Sequence, residues 1–338
     1  MSRKSISIAM ATYNGAKYIR EQLDSLAKQT VLPDELVIFD DGSADNTLSI
    51  VNEFSKMSPF PIMIYTNEIN LGYGENFLQI PLRCKGDWIA FCDQDDVWLP
   101  EKLETCQKYM DNSVTMIYHS AYVVDNNLRR LSNFKFQNDK YNYLIKLNNY
   151  LPWKSIAGFT ILFNAKLPFY NQYKMRPHDP HRINMQIAHD QWVPFLATIF
   201  GNIIYIPIQL ALYRQHDGNT IGARPEAKML ANNIICLSEY YNDLSMLALE
   251  RADFIYSLVD KADNMQAKAL QVAYRRYTIL LQNYHFRHVL QKENSSIRRF
   301  WLIVALLFKF GYGKTKLGGL GFRAFFKDLI YCGLIENK

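Results

Sequence analysis

Short apolar runs alternate with amphipathic stretches through the first hundred residues of this 338-residue chain. Each run has the length and character of a strand buried in a sheet. Between the first two runs, Ile19, Leu23 and Leu26 recur at the spacing of one helix face. Such alternation predicts an α/β fold, in which a mostly parallel sheet is flanked by crossover helices. The predicted strands are 5–10, 35–40, 61–66 and 87–92.

The pattern changes character further along the chain. Residues 126–150 are polar, rich in Asn and Lys and weakly periodic, which predicts a mobile loop. From about residue 226 only helical periodicity remains, so we predict an α/β domain at 1–222 and a helical appendage at 223–338. Ser43 is a predicted cap for the second helix. Other predicted elements are a helix at 100–110, strands at 113–125, and strand or helix segments at 158–164, 184–200 and 202–213.

Composition narrows the class of protein. Hydrophobic residues make up 49% of the chain and charged residues 21%, the balance of a folded globular protein. The five cysteines show no paired metal-ligand spacing, so neither a disulfide framework nor a zinc cluster is predicted, and a reducing compartment fits best. The amino terminus lacks the apolar core of a secretory signal, and no apolar run approaches the length of a spanning helix. We therefore expect a cytoplasmic protein.

The segment 297–338 is strongly basic and aromatic. It holds eight Lys and Arg residues against two acids, which accounts for the formal net charge of +6. This composition suits a surface that enters the membrane interface without spanning it, so we predict peripheral association with the inner face of the cell membrane and no nucleic-acid partner. Alternatively, the apolar residues pack against 226–290 or form a subunit contact in an oligomer. They include Phe300, Trp301, Leu302, Leu306, Phe308, Phe310, Phe322, Phe325 and Phe326.

Three polar clusters follow predicted strands, at 11–15, 40–43 and 93–98. Ligands of doubly wound α/β folds bind at the carboxyl ends of the strands. Each cluster alone is also consistent with a turn, because Asn-Gly and Asp-Gly are common turn formers. Located at successive strand ends in one half of the chain, the three together indicate a nucleotide site.

The third cluster has the strongest chemical signal. Asp93, Asp95 and Asp96 crowd three carboxylates directly behind an apolar run, so they need a compensating cation or full exposure to solvent. Carboxylate oxygens suit Mg²⁺ or Mn²⁺, which usually keep water and substrate phosphates among their ligands. The alternative is an acidic helix start, in which Asp95 or Asp96 favours the positive end of the following helix.

Four motifs carry a family resemblance. They are Met10-Ala-Thr-Tyr-Asn-Gly15, Phe39-Asp-Asp-Gly-Ser43, Asn70-Leu-Gly72 with Asn76, and Phe91-Cys-Asp-Gln-Asp-Asp-Val-Trp98. In this order and spacing they resemble the inverting family 2 glycosyltransferases of the GT-A fold, over roughly residues 5–220. The combination is specific, although each motif alone is not. The resemblance implies a Rossmann-like GT-A domain that transfers one sugar from a nucleoside-diphosphate donor to an acceptor hydroxyl.

The resemblance also implies roles around the donor. Tyr13 and the backbone around Ala11 would flank the nucleobase, and Asp41 would accept a hydrogen bond from its imide nitrogen. Asp95 would be the main ligand of Mg²⁺ or Mn²⁺ beneath the diphosphate. His216 would be a second ligand unless it is a surface histidine, and Asp96 would orient the sugar or support the loop. The predicted nucleotide and donor set is Ala11, Thr12, Tyr13, Asn14, Asp41, Asn70, Gly72, Asp93 and Arg214, the last as a planar phosphate donor.

The acceptor side of the site is predicted from later segments. Asp190 matches the second residue of the family's acidic pair and is the predicted base, because an acceptor hydroxyl must lose its proton as it attacks. His189 stands where that pair carries its first acid, and a turn or cap aspartate is the alternative role for Asp190. Trp192 would be a platform for a sugar ring unless it is a core residue. Gly158 would lie in a strand lining the acceptor site.

The predicted function is sugar transfer with inversion during synthesis of a cell-surface polysaccharide, onto a glycan or lipid-linked acceptor. The string Asp-Gln-Asp-Asp-Val-Trp is similar to that of many bacterial rhamnosyltransferases, which makes dTDP-rhamnose the first donor to test and UDP-hexoses the second. Two alternatives remain. One is a nucleotidyltransferase, although 10–18 offers only Lys17 for a triphosphate, and the other is a nucleotide-sugar-binding scaffold without catalysis.

Overall fold

The computed structural model of the chain contains two compact units. Unit 1 comprises Met1–Leu147, Lys154–Tyr173 and Ile187–Arg224, and unit 2 comprises Asn148–Trp153, Lys174–Gln186 and Pro225–Lys338. The predicted boundary near 222 lies outside the residues that the structure describes. Those residues are 3–134, 144–145, 153, 155–180, 182–216, 237–308, 311–314 and 319–334.

Strands dominate unit 1 and helices dominate unit 2. The strands are β1 (Ile6–Thr12), β2 (Glu35–Asp40), β3 (Ile62–Thr66), β4 (Trp88–Cys92), β5 (Val97–Trp98), β6 (Val114–Val124), β7 (Arg130–Asn133), β8 (Leu144–Ile145), β9 (Ile161–Asn164), β10 (His178–Asp179), β11 (Arg182–Gln186) and β12 (Asn202–Arg214). The helices are α1 (Ile19–Ala27), α2 (Thr47–Ser55), α3 (Tyr73–Gln79), α4 (Lys102–Gln107), α5 (His189–Phe200), α6 (Leu237–Leu258), α7 (Asn264–Lys292), α8 (Ser296–Phe308) and α9 (Phe322–Leu334).

The sheet of unit 1 has the order β3-β2-β1-β4-β9-β6-β12-β5. The strands β3, β2, β1 and β4 are parallel, as are β6 and β12, whereas β9 runs antiparallel to both of its neighbours. The predicted α/β class is confirmed, and the insertion of β9 makes the sheet mixed. Because β1, β2 and β4 are adjacent and parallel, the polar clusters that follow them meet at one edge.

Two local predictions need correction. The stretch 126–150 is not only a loop, since β7 pairs with β6 and β8 pairs with β12. All four residues of β7 are exposed, so this edge strand lacks the apolar alternation that identifies a strand. Ser43 does not cap α2, which begins four residues later, at Thr47. Its hydroxyl donates instead to Asp40 Oδ1 at 2.6 Å.

The described part of unit 2 is mainly helical, as predicted, with the short hairpin of β10 and β11 added. The start of α7 has a capping box, in which the Asp263 carboxylate accepts the N–H of Gln266 while the Gln266 side chain accepts the N–H of Asp263. A buried ion pair between Arg287 of α7 and Asp328 of α9 joins these two helices, at 2.6 Å. No helix within the described ranges is both long and apolar enough to cross a bilayer.

Candidate active site

The loop after β1 is held by side chains from two other segments, 43–47 and the loop at Gln94. The backbone N–H groups of residues 13–16 donate, in order, to oxygens of Gln94, Ser43, Thr47 and Asp45 at 2.8–3.0 Å. All four amides are therefore occupied by protein atoms. The loop does not form the open ring of amide donors that a phosphate-binding loop presents.

The predicted nucleotide residues of this loop lie at the carboxyl end of β1, but they differ in exposure. Ala11 is partly buried, and Thr12 is buried with its hydroxyl donating to Asp40 Oδ1 at 2.8 Å. The Tyr13 side chain is 50% exposed. Asn14 has φ of +46°, a left-handed conformation that asparagine tolerates better than most residues. Tyr13 and Asn14 are therefore the exposed members of this group, and the Tyr13 ring offers a large surface to a ligand.

Asp41 fixes the loop that follows β3. Its Oδ1 accepts the N–H of Leu71 and its Oδ2 accepts the N–H of Gly72, both at 2.8 Å. Asn70 Nδ2 donates to the Asp41 carbonyl at 3.0 Å, and Gly72 has φ of +79°, where glycine is favoured. The structure thus brings Asp41, Asn70 and Gly72 together. The Asp41 carboxylate is buried and faces this loop, and its nucleobase contact stays a prediction.

The three acids after β4 have different surroundings. Asp96 is fully buried, its Oδ1 accepts the N–H of Arg214 at 3.0 Å, and its Oδ2 has no hydrogen-bond partner among the described residues. Burial, together with the charges of Asp95 and Asp93, raises the pKa of Asp96 well above its usual range. Burial, followed by the charges of Asp95 and Asp190, raises the pKa of Asp93 to about 7. The first turn of α5 lies close to these acids, because the His189 ring meets the ring of Phe91, which immediately precedes Cys92 and the acid cluster.

A buried cation lies close to the acids. Lys102 Nζ donates to the Phe159 carbonyl at 2.7 Å and lies 3.4 Å from the centroid of the Trp98 ring. Burial lowers the pKa of Lys102 to about 8, against the opposing effects of nearby thiols, Asp96 and Asp93. The lysine therefore offsets part of the carboxylate repulsion that the sequence predicts.

Asp95 and His216, the two predicted metal ligands, are in contact. His216 Nε2 lies 2.8 Å from Asp95 Oδ2, and both side chains keep a fraction of their surface in solvent. The His216 ring packs against Tyr18, with 4.7 Å between the ring centroids. In the described part of the chain, no group of three or more His, Cys, Asp and Glu residues is arranged to hold a metal. Asp95 and His216 are thus in contact within the described residues, and their role as metal ligands stays a prediction.

Arg214 does not face the donor side as predicted. Its side chain is 1% exposed, Nε donates to the Asp95 carbonyl at 2.8 Å, and Nη1 donates to the Asn126 carbonyl at 2.6 Å. Nη2 pairs with the Glu21 carboxylate. We therefore correct the predicted phosphate contact. The guanidinium is buried and donates to three protein groups, and in this way it fixes the acid loop.

The start of α5 joins a buried histidine to a partly exposed acid. The His189 ring stacks on Phe77 at 4.1 Å and meets the Phe91 ring edge-on at 4.9 Å. Burial lowers the pKa of His189 to about 3, so this imidazole is neutral at physiological pH. Asp190 follows in the first turn, where its carbonyl accepts the N–H of Ile156 at 3.1 Å. The histidine thus anchors the turn that carries the predicted base.

The two predicted acceptor residues are packed inside the protein. Gly158 is buried in a 3₁₀ turn, Gly158–Thr160, rather than in a strand, and a Cβ there would lie 2.3 Å from His189 Nε2. Trp192 is 0% exposed, and its indole N–H donates to the Tyr170 carbonyl at 3.3 Å. Neither residue presents a surface to a sugar. Gly158 makes room for His189, and Trp192 belongs to the buried face of α5.

Three residues of this site escaped prediction. The Gln94 amide brackets Tyr13, since its Nε2 donates to the Tyr13 carbonyl at 2.9 Å while its Oε1 accepts the Tyr13 N–H. Its position between Asp93 and Asp95, inside the acidic motif, could have identified Gln94 as a site residue. Tyr18 and Glu21 meet Arg214 from the start of α1, nearly two hundred residues away in sequence. No local pattern links residues so far apart.

Comparisons with known proteins identify the family of the chain. The family model described as "Glycosyl transferase family 2" matches residues 7–167. The dTDP-rhamnosyl transferase RfbG of Shigella flexneri is 39% identical over 254 residues, which cover 72% of this chain and 85% of RfbG. WfgD of Escherichia coli, a UDP-Glc:alpha-D-GlcNAc-diphosphoundecaprenol beta-1,3-glucosyltransferase, is 34% identical over 123 residues, or 36% of this chain and 47% of WfgD.

The chain spans about half the length of WfgD, and it spans 59% of three uncharacterized mycobacterial relatives that are 27% identical to it. A crystal structure of S. aureus TarS 1-349 in complex with UDP-GlcNAc superposes with a TM-score of 0.53 at 19% identity, covering 84% of this chain and 73% of TarS. At this identity the likeness shows the fold alone. It confirms the predicted GT-A architecture.

Proposed function

Because this chain belongs to glycosyltransferase family 2, we propose that it transfers a sugar with inversion from a nucleoside-diphosphate donor to an acceptor hydroxyl. The family makes the chain a glycosyltransferase with a nucleotide-sugar donor. One observation supports the finer proposal. The Asp95–His216 pair lies at the same sheet edge as Asp93, whose pKa responds to the charge of Asp190. This proximity supports a single site in which Asp95 and His216 would bind the cation and Asp190 would act as the base.

Asp95 and His216 are the residues that would hold Mg²⁺ or Mn²⁺. A carboxylate and an imidazole fit such an ion when the substrate and water supply its other ligands, and the partial exposure of both side chains leaves room for them. When bound, a divalent cation neutralises the negative charge that develops on the departing diphosphate. Arg214 contributes indirectly, because its bond to the Asp95 carbonyl fixes the backbone of that ligand.

Asp190 acts as the base in this proposal. Its carboxylate takes the proton from the acceptor hydroxyl while the oxygen forms a bond to the anomeric carbon. The bond from that carbon to the diphosphate oxygen breaks, and the electron pair leaves with the nucleoside diphosphate. No covalent sugar intermediate is required. The neutral His189 holds Asp190 through packing, without adding charge beside it.

The donor and acceptor are proposed from the two named relatives. RfbG makes dTDP-rhamnose the first donor to test, and WfgD makes UDP-glucose the second. The diphosphoundecaprenol in the WfgD name supports a lipid-linked acceptor. Together they favour a role in cell-surface polysaccharide synthesis. The nucleotidyltransferase alternative is weakened because the amides of residues 13–16, which would cradle a triphosphate, are all occupied by side chains.

A panel of nucleotide sugars tests the proposal. We expect one donor to raise the melting temperature, and to release its nucleoside diphosphate when a polyprenyl-diphosphate sugar and Mg²⁺ or Mn²⁺ are present. Asp95→Ala should abolish release while the protein stays folded, and chelator should do the same to the unaltered chain. Asp24→Ala, at a surface carboxylate that pairs with Arg20, is the matched control and should be active.

Each other outcome has a clear meaning. Full activity of Asp95→Ala in excess chelator would contradict the metal-dependent mechanism. A donor that stabilises the protein but never releases nucleotide would favour the scaffold. Incorporation of a nucleoside monophosphate, with release of pyrophosphate, would favour the nucleotidyltransferase.

A further inference from the structure

Helices α8 and α9 have apolar residues on two faces, and neighbouring helices cover only one of them. Ile303, Leu306 and Ala324 are buried in a cluster with Leu290 and Tyr312. The half-buried residues Leu302, Phe325 and Leu329 pack against the same cluster. The alternative sequence interpretation, internal packing, therefore holds for part of the basic aromatic segment.

The remaining large apolar residues form exposed stripes. On α8, Ile297, Phe300, Trp301 and Phe308 share one face, and Trp301 is 63% exposed. Their spacing of three, four and seven residues places them along one side of a helix. On α9 the corresponding stripe has a period of four residues. It consists of Phe322, Phe326 and Ile330, all exposed.

The exposed charges beside these stripes have one sign, and the carboxylate of the partly buried Glu293 lies 3.9 Å from Arg298. Arg298, Arg323 and Lys327 are exposed and adjoin the apolar positions, and Lys314 is exposed in the connection between the helices. Among the described residues of this segment the acid is Asp328, which is buried and accepts hydrogen bonds from Arg287 and Tyr312. Within the described part of 294–334, every exposed charged side chain is therefore basic. The predicted contributions of Lys309, Phe310 and Lys316 lie outside the described residues.

We propose that these stripes and their flanking basic residues, together the α8–α9 surface, dock on the surface of an anionic lipid bilayer. Aromatic rings favour the headgroup boundary, and basic side chains are attracted to anionic lipids. A second copy of the chain is a poorer occupant, because pairing two such surfaces would oppose positive charges. Neither helix meets the requirements for spanning, so the surface lies in the interface.

The α8–α9 surface belongs to unit 2, and its binding is measured without substrate. The inference therefore stands apart from the proposed reaction, although it would carry the enzyme to a lipid-linked acceptor. A failure of donor turnover would not affect the vesicle result, and a failure of vesicle binding would not affect the turnover result.

Vesicle flotation of the full chain is the direct test. We expect binding to vesicles of phosphatidylcholine with phosphatidylglycerol, little binding to phosphatidylcholine alone, and release of the protein by high salt. Brominated acyl chains should quench the fluorescence of the bound protein, and Trp301→Phe should remove most of this quenching. Trp88, Trp98 and Trp192 are buried in unit 1 and should be little affected.

Charge reversal with a matched control isolates the α8–α9 surface. The triple variant Arg298→Glu, Arg323→Glu and Lys327→Glu should lower vesicle affinity by at least about tenfold. The control triple variant Lys261→Glu, Lys268→Glu and Arg275→Glu changes net charge equally at exposed positions elsewhere in unit 2, and should retain most of the affinity.

Two results would overturn the proposal. One is an equal loss of affinity in both triple variants, which would mean that net charge alone drives binding. The other is a dimer in sedimentation velocity that Trp301→Ser dissociates, without vesicle binding by the unaltered chain. That result would assign the surface to a second copy.

Discussion

The acid loop of unit 1 and the α8–α9 surface of unit 2 both concentrate charge, but one buries it and the other leaves it in solvent. Asp96, Lys102 and Arg214 are almost completely inaccessible, and each contacts defined protein atoms. Arg323 and Lys327 are exposed beside exposed rings. Buried charge is tolerated only with fixed partners, whereas a solvated charge keeps its freedom. The fixed charges of the acid loop suit a ligand bound in one geometry. The solvated charges of the α8–α9 surface suit the proposed lipid bilayer, whose headgroups move.

The largest effect is expected at the base. Asp190→Asn keeps the size of the side chain but removes its basicity, so kcat should fall by roughly 10²–10⁴-fold with donor affinity largely preserved. Single-turnover rates and donor titration separate these two quantities. The substitution should scarcely change vesicle binding, because the α8–α9 surface lies in the other unit.

The neighbouring histidine provides the check on this assignment. His189→Ala should reduce activity through loss of packing against Phe77 and Phe91, yet a measurable rate should remain. If His189→Ala is inactive while Asp190→Asn is active, Asp190 is not the base and our assignment is wrong.

Two arginine substitutions test the comparison of buried and solvated charge through the free energy of unfolding. Arg214→Gln removes hydrogen bonds from a buried guanidinium to the Asp95 and Asn126 carbonyls, together with its ion pair to the half-exposed Glu21. The unfolding free energy should therefore fall by about 2–4 kcal/mol, mainly through the loss of the two buried hydrogen bonds. Arg323→Gln, at an exposed site, should change it by less than about 0.5 kcal/mol. Urea unfolding of both variants measures the difference. Equal losses would contradict the distinction between buried and solvated charge.

A smaller loss is expected where a glycine makes room for the α5 anchor. In Gly158→Ala the new methyl group would lie 2.3 Å from His189 Nε2, and the aromatic neighbours leave the ring little freedom to move. Overpacking of this kind should cost about 1–3 kcal/mol and displace Asp190 enough to lower kcat. Combining it with His189→Ala should cost less than the sum of the single changes. Strictly additive losses would mean that the two residues do not interact.

The sequence predicted the parts of this site that depend on local order. Polar residues directly after buried strands identified the loops at Asp41 and Asp95, because parallel neighbouring strands bring their carboxyl ends together. The contact between Asp95 and His216 followed from the family resemblance rather than from any local pattern. The pattern around β9 did not reveal its antiparallel insertion, since strand direction depends on long-range pairing.

The errors concern side-chain direction. A motif gives the position of Arg214 along the chain, but its burial depends on Glu21, Tyr18 and the Asn126 carbonyl, which come from distant segments. Gly158 was assigned to the acceptor because a missing side chain suggests close approach. The approaching group is His189, a residue of the same protein.

The response of folding stability to pH separates His189 from an exposed histidine. Burial lowers the pKa of His189 to about 3 in the folded state, against about 6.5 when unfolded. Between pH 3 and pH 6.5 the imidazole therefore binds a proton in the unfolded chain but not in the folded chain. The contribution of the neutral His189 to folding stability is fully present above pH 6.5 and is lost as the pH falls towards 3. The contribution of this one group approaches 1 kcal/mol per pH unit, as an order of magnitude.

His189→Leu removes the titrating group while filling the pocket with apolar atoms. The difference in unfolding free energy between the unaltered chain and this variant should be constant above about pH 6.5, and should shift in favour of the variant at lower pH. Urea unfolding at several pH values between 7.5 and 4.5 measures it. Other groups, including the buried His119, are present in both proteins and cancel in the difference. Parallel stability curves would mean that the His189 imidazole becomes protonated within the fold, and that its aromatic surroundings do not hold it neutral beside Asp190.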